Sequence, residues 1–300
     1  MQARPLRKGS IIDVVAPAGP FEPEAFRQGV ALLEARGYRP RFRDDVFARE
    51  RFLAGSDERR FTELRDALLA EDSDLVWAAR GGYGVMRIMQ RLGLHFIRNT
   101  GKALVGFSDL TVLHRYWLEA GVASVHGSML ARLSSEPEAV QSRLFGLLET
   151  GRASALTGKP WRGGVAEGVL TGGNLAMLAA TCGTVAEPYR LSGRVLFLED
   201  IGERPYRLDR MLVQCRSAGL FEDVAAVVVG DFTDCDEKDG SIAAEEVLRE
   251  HLEALSVPVL AGLPCGHGPV NLALPFGVRV RVDATAGRLE FIESLYGEQA

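Results

Sequence analysis

Three short apolar runs constrain this chain most: Ile11 to Ala16, Leu75 to Ala79 and Ala103 to Gly106. Each has the length of a buried strand, and each leads into a Gly-, Pro- or Ser-containing turn. Helical spacing then resumes, through Phe26, Val30 and Leu33 after the first run, over Val85 to Leu92 after the second, and through Leu110, Leu113 and Trp117 after the third. Further strands are expected at Tyr38 to Phe42, and a helix opened by Ser56, Asp57 and Glu58 is expected to run through Leu69. Such alternation predicts a doubly wound parallel sheet, with sites beyond the carboxyl ends of its strands. Arg80-Gly-Gly-Tyr-Gly84 and Ser108 both fall at those ends.

The alternation loosens between Glu136 and Trp161, where Gly and Pro accumulate around one helix, Ala139 to Leu148. It returns with Gly168 to Asn174, an apolar helix over Leu175 to Ala180, and strands at Arg194 to Glu199, Val224 to Val229 and Val257 to Leu260. Helices over Tyr206 to Ala218 and Glu245 to Leu255 separate these strands, and Val278 to Asp283 with Arg288 to Glu293 reads as a terminal hairpin. The expected division is a first domain over 1–150, a linker over 151–165 and a second domain over 166–300. In fold class this is α/β, a parallel-sheet domain followed by a mixed α/β domain with a terminal hairpin.

Composition narrows the function classes. In 300 residues, 47% are apolar and 25% charged, with a net charge of -5 and no Lys/Arg run interleaved with aromatics. That argues against nucleic acid or an anionic membrane as partner. No apolar stretch approaches the ~20 residues of a membrane span, and Ile11 to Ala18 is too short and contains Asp13, so it is a strand and not a signal peptide. Cys182, Cys215, Cys235 and Cys265 form no C-x-x-C pair, which fits buried thiols in a reducing cytoplasm rather than a disulfide framework or a zinc site. Counted from Asp234, the acidic stretch Asp231 to Gly240 breaks the calcium-loop pattern at Lys238 and Asp239. It reads as a solvated loop.

Lys102-Ala-Leu-Val-Gly-Phe-Ser-Asp-Leu-Thr111 reads as a strand that bends into a helix at Ser108. A nucleophile held there would have unpaired backbone N–H groups beside it for a developing oxyanion. The elbow pattern G-x-S-x-G is met at Gly106 and Ser108 but not at Leu110, and Ser-Asp before an apolar run is also an ordinary helix cap. Arg80 to Gly84 is open to three readings: a tight turn needing positive φ, an anion cradle, or an oxyanion-hole loop with Arg80 near a substrate carboxylate.

A serine nucleophile requires a base and a carboxylate to orient it. His95 and His251 sit in polar surface contexts, and His114 lies about 600° around the helix from Ser108, pointing away from it. His126 and His267 remain, the latter in the glycine-flanked loop Pro264-Cys-Gly-His-Gly-Pro-Val-Asn271. Glu199 ends an apolar strand, where it is either solvated or functional, and Asp200 faces the other way.

Taken together, Arg80 to Gly84, Gly106-Phe-Ser-Asp109, Gly172-Gly-Asn174, Leu198-Glu-Asp200 with Tyr206 and Asp209-Arg210, and Gly266-His267 with Asn271 and Leu274-Pro275 resemble the LD-carboxypeptidase family. That family also contains the microcin C self-immunity peptidases. The motifs span most of the chain in the family's order, and Leu110 agrees with this family rather than with the α/β-hydrolases. The resemblance implies a Ser108, His267 and Glu199 triad, an oxyanion hole from the Gly82 and Asp109 amides, and substrate contacts at Arg80 and Asn174. It further implies a Rossmann-like first domain, a homodimer, no metal or organic cofactor, and a small peptide substrate. The typical substrate is cytoplasmic murein tetrapeptide, cut between its diamino acid and the terminal D-alanine. Two other readings stand beside it: a peptidase of aminoacyl-nucleotide amides, with Trp161 as the stacking aromatic, and a ligand-binding protein without turnover.

Overall fold

A computed structural model describes residues 3–184 and 191–297. The chain opens with strand β1 (Ile11–Val15), helix α1 (Pro23–Ala35), β2 (Arg39–Arg41), α2 (Asp57–Leu69) and β3 (Leu75–Ala78). Next come α3 (Val85–Met89), α4 (Leu94–Thr100), β4 (Ala103–Gly106), α5 (Thr111–Ala120), β5 (Ser124–His126), α6 (Leu130–Leu133) and α7 (Glu138–Thr150). The second half runs β6 (Leu156–Thr157), β7 (Lys159–Arg162), β8 (Val165–Asn174), α8 (Leu175–Thr181), β9 (Arg194–Ile201) and α9 (Pro205–Ser217). It closes with β10 (Ala226–Thr233), α10 (Ala244–Leu252), β11 (Val259–Ala261), β12 (Leu274–Phe276), β13 (Arg279–Asp283) and β14 (Arg288–Phe291).

These elements fall into two compact units. One takes the chain up to Ala153, together with Ala273–Gly277 and the residues from Ser294; the other takes Ser154–Leu272 and Val278–Glu293. In the first unit the strand order is β12-β5-β4-β3-β1-β2, parallel throughout except for β12, which runs antiparallel to β5. All four residues of β3 and all four of β4 are buried, as expected of parallel strands covered on both faces. Trp77 of β3 is fully buried and donates its indole N–H to the Ser128 carbonyl, while Trp117 of α5 donates to that of Lys102. The expected cap of α2 is present, with Ser56 Oγ accepting from the Arg59 N–H at 3.2 Å.

The second unit has the order β6-β14-β13-β8-β9-β10-β11-β7, in which β8, β9, β10 and β11 are parallel and the remaining strands antiparallel. The expected terminal hairpin is β13 with β14. A side chain on Gly172 of β8 would put its Cβ 2.0 Å from the Phe197 carbonyl oxygen, so only glycine lets β8 lie this close to β9.

The stretch expected as a linker, 151–165, instead carries β6 and β7, which close the two edges of the second sheet. Both strands are too short for a periodic signal, and their Gly and Pro content mimics a loop. Among the described residues no helix is long and apolar enough to cross a membrane.

Candidate active site

In the first unit β4 delivers the chain to a sharp bend. Phe107 is extended, Ser108 takes φ +64°, and a 3₁₀ turn over Ser108–Leu110 runs straight into α5. A non-glycine residue in this left-handed region costs roughly 1–2 kcal/mol, so its surroundings have to hold it there. They do so from below. The Gly106 carbonyl accepts from the His114 Nε2–H at 2.8 Å and from the Gly127 N–H at 3.1 Å, and His114 Nδ1 accepts from the Ser124 hydroxyl at 2.8 Å. Burial pushes His114 down to about 4, against the pull of the Gly106 carbonyl, so the ring is neutral and its tautomer is set. His114 was expected to point away from Ser108; it turns under the bend and braces it. A Cβ on Gly106 would meet Leu110 Cγ at 2.9 Å, so the leucine that stands in for the second elbow glycine fills the space that the first one leaves.

The Arg80 to Gly84 turn wraps the same bend. Gly82 and Gly84 take φ +99° and +129°, and a Cβ on Gly81 would lie 3.1 Å from Ser108 Cβ. Asp109 is buried and its Oδ2 accepts from the Val85 N–H at 2.9 Å, tying the serine turn to the start of α3. Burial pushes the Asp109 carboxyl up to about 6, opposed by that N–H and by Arg60. Arg60 is fully buried and donates to the carbonyls of Pro17 and Gly84. Nothing in its helical spacing singled it out, because only the tertiary fold brings those two carbonyls to it. Arg80 itself is exposed and donates to the Pro20 carbonyl at 2.5 Å.

In the second unit β9 places Glu199 and Asp200 on opposite faces. Glu199 is fully buried, and its Oε2 accepts from His267 Nδ1 at 2.6 Å. A carboxylate only accepts, so Nδ1 carries the proton of this contact, and of the two tautomers the contact selects the one with its lone pair on Nε2. The glycine before His267 is required for this contact: Gly266 has φ +122°, and a Cβ there would sit 2.8 Å from Glu199 Oε2. The loop is closed by Asn271, buried, whose Oδ1 accepts from the Gly266 N–H at 2.9 Å, and by the Leu272 N–H on the Pro264 carbonyl. Asp200 accepts from Asn174 Nδ2, from the Ala176 N–H and from the Ile201 N–H, each at 2.8 Å. Burial above all, with Glu199 adding, nevertheless pushes Asp200 up to about 6. Asn174 also caps α8 through Oδ1 on the Met177 N–H at 3.1 Å, so both ends of its amide hold the fold.

Of the sequence candidates, the first unit thus gathers Arg80, Gly82, Ser108 and Asp109 around one bend, and the second joins Glu199 to His267. His126 is fully buried among Phe107 and Phe276, without an open face. His251, expected at the surface, is buried with Nε2 on Asp209 Oδ1 at 2.8 Å. Trp161 is half-buried against the second unit's core with the Arg249 guanidinium 4.7 Å above its ring, so a ligand would find that face taken. Asp231, read as part of a solvated loop, is half-buried in β10 beside the His267 loop.

Residues 12–127 match the model of the LD-carboxypeptidase N-terminal domain, and residues 167–282 that of the LD-carboxypeptidase C-terminal domain. The murein tetrapeptide carboxypeptidase of Pseudomonas aeruginosa is 33% identical over 89% of this chain and 91% of its own. The crystal structure of muramoyltetrapeptide carboxypeptidase from Oxalobacter formigenes superposes with a TM-score of 0.83 at 31% identity, covering 93% of this chain and 97% of that one. The microcin C7 self-immunity protein MccF, solved with glutamyl sulfamoyl guanosine, shares the fold at a TM-score of 0.87 and 21% identity over 99% of both chains.

Proposed function

Because the chain belongs to the LD-carboxypeptidase family of serine-type peptidases, we propose that it releases the terminal D-alanine from cytoplasmic murein tetrapeptide by way of an acyl-enzyme. In this reading Ser108 is the nucleophile, His267 the general base and then acid, and Glu199 the carboxylate that orients His267. The observation that carries it is the 2.6 Å contact between His267 Nδ1 and Glu199 Oε2, which leaves Nε2 as the basic nitrogen.

Ser108 Oγ attacks the amide carbonyl carbon and its proton passes to His267 Nε2, while buried Glu199 stabilises the imidazolium. The oxygen that gains charge is received by the backbone N–H groups of Gly82 and Asp109; the latter lies in the first turn after the strand, where N–H groups lack acceptors within the turn. Collapse of the tetrahedral intermediate breaks the C–N bond as His267 returns the proton to the leaving D-alanine amine. Water then attacks the ester with His267 as base, freeing Ser108. Arg80, exposed beside the bend, is suited to the substrate's free carboxylate.

The Arg249 cation over Trp161 favours a peptide over an aminoacyl-nucleotide, since a base stacking on that face would have to displace the guanidinium. The test is to offer murein tetrapeptide and an aminoacyl-sulfamoyl adenosine side by side to the wild type and to Ser108→Ala. Turnover of the tetrapeptide by the wild type alone is expected; equal activity in the variant, or turnover only of the nucleotide, overturns the proposal. A serine-directed covalent reagent that labels Ser108 separates a peptidase from a protein that merely binds.

A further inference from the structure

Beside His267 the pairing of β9 with β10 departs from regular register. Val229 of β10 pairs with Leu198 of β9 and Phe232 pairs with Asp200, so Gly230 and Asp231 together oppose the one residue Glu199. This is a β-bulge, a device that re-aims a side chain and recurs next to active sites. Gly230 makes room for the bulge, because a Cβ there would strike the Cys265 carbonyl oxygen at 2.3 Å, and the Asp231 N–H is anchored on that same carbonyl at 2.9 Å. The Asp231 carboxylate is thereby turned toward the residue after the histidine: a Cβ on Gly268 would lie 2.4 Å from Asp231 Oδ2.

Two glycines therefore flank His267, one fitted to Glu199 and the other to Asp231. The two acids are treated differently. Glu199 holds the imidazole, whereas none of the ion pairs formed by the described residues includes Asp231. Asp231 is half-buried, and burial with the nearby negative charge of Glu199 pushes it up to about 6. A cation arriving from outside would relieve both.

We propose that Asp231 is a specificity-determining residue which receives a cationic side chain of the substrate, an ammonium on the residue whose carbonyl is attacked. The inference rests on the peptidase reading above, in which that residue is a diamino acid. A half-buried carboxylate with no ion-pair partner among the described residues distinguishes such a side chain from an uncharged one of the same length, because only the charged one makes a charge-assisted pair.

Two tetrapeptides with lysine or norleucine before the terminal D-alanine differ in this ammonium. Wild type is expected to prefer lysine by roughly tenfold to a hundredfold in kcat/KM, chiefly through KM. Asp231→Asn, which keeps shape and removes charge, is expected to lower that preference to within about threefold while leaving norleucine turnover near the wild-type rate. Norleucine turnover serves as the control for folding, and Asp231→Ser serves as a second variant. An equal loss on both peptides would make Asp231 a support for the histidine loop and overturn the proposal, as would an unchanged preference. If the wild type cleaves neither peptide, the underlying peptidase reading fails instead.

Discussion

His267 and Glu199 are 68 residues apart in sequence and 2.6 Å apart in space, one in a loop between two glycines and the other at the end of a buried strand. Neither position alone distinguishes a catalytic group from a structural one. Their contact fixes the tautomer of an imidazole that is partly open to solvent, its side chain 13% exposed, which a packed core pair would not be.

Glu199→Gln keeps an oxygen that accepts from Nδ1 but removes the charge that stabilises the imidazolium. We expect kcat to fall by up to roughly 10⁴ with circular dichroism and melting temperature near those of the wild type. A loss smaller than tenfold would assign the orienting role elsewhere.

Ser108→Ala and Ser108→Gly should both be inactive, yet differ in stability. Glycine accepts φ +64° without the clash that alanine retains. Ser108→Gly is therefore expected to exceed Ser108→Ala by about 1 kcal/mol in denaturant unfolding. Equal midpoints would mean that the bend relaxes when the hydroxyl is lost.

Gly266→Ala tests the closeness of loop and acid. Its Cβ would lie 2.8 Å from Glu199 Oε2 at a φ of +122°. We expect a fall of about a hundredfold or more in kcat, since a displacement near 1 Å in a catalytic group has that effect, with modest thermal destabilisation. Wild-type kcat in this variant would contradict the proposed role of the pair.

Asp200 predicts a pH dependence of stability. Its carboxyl is raised from the ordinary 3.8 to about 6, chiefly by burial. Between about pH 4 and 6 the folded chain keeps a proton that the unfolded chain has lost, so this residue's contribution is fully present below pH 4 and declines as pH rises to 6. In Asp200→Asn the decline is absent, and stability relative to the wild type should rise by roughly 2–3 kcal/mol across that window. His114, lowered to about 4, acts in the opposite sense in both proteins and cancels in the comparison. A difference that does not vary with pH would show Asp200 ionised throughout.

Much of the first sheet was legible because β1, β3 and β4 are apolar runs that each lead into a turn and a helix. The bend at Ser108 was legible too, together with Glu199 and His267 at strand ends, though choosing them over His126 took the family's pattern. β6, β7 and β12 were not, since two to four residues carry no period and their partners lie far along the chain. The bulge at Gly230 and Asp231 belongs to the same class. It exists only in the register between β9 and β10, so Asp231 passed for one more acid in a polar loop. His114 was placed on the correct helix, but its hydrogen bonds depend on how α5 rolls over β4. His251 looked solvated because its neighbours in sequence are charged, whereas packing decides its burial.

The antiparallel β12, Ala273–Gly277 in its wider segment, completes the edge of a sheet whose other strands lie in the first 126 residues. During synthesis the first unit therefore emerges from the ribosome with β5 as an open edge, and it stays so until residues 273–277 have been made. A prematurely terminated polypeptide would carry the complete serine bend on a sheet that is still sticky. Fragments ending before residue 273 are therefore expected in aggregates or as prey for proteases, not as half-active species.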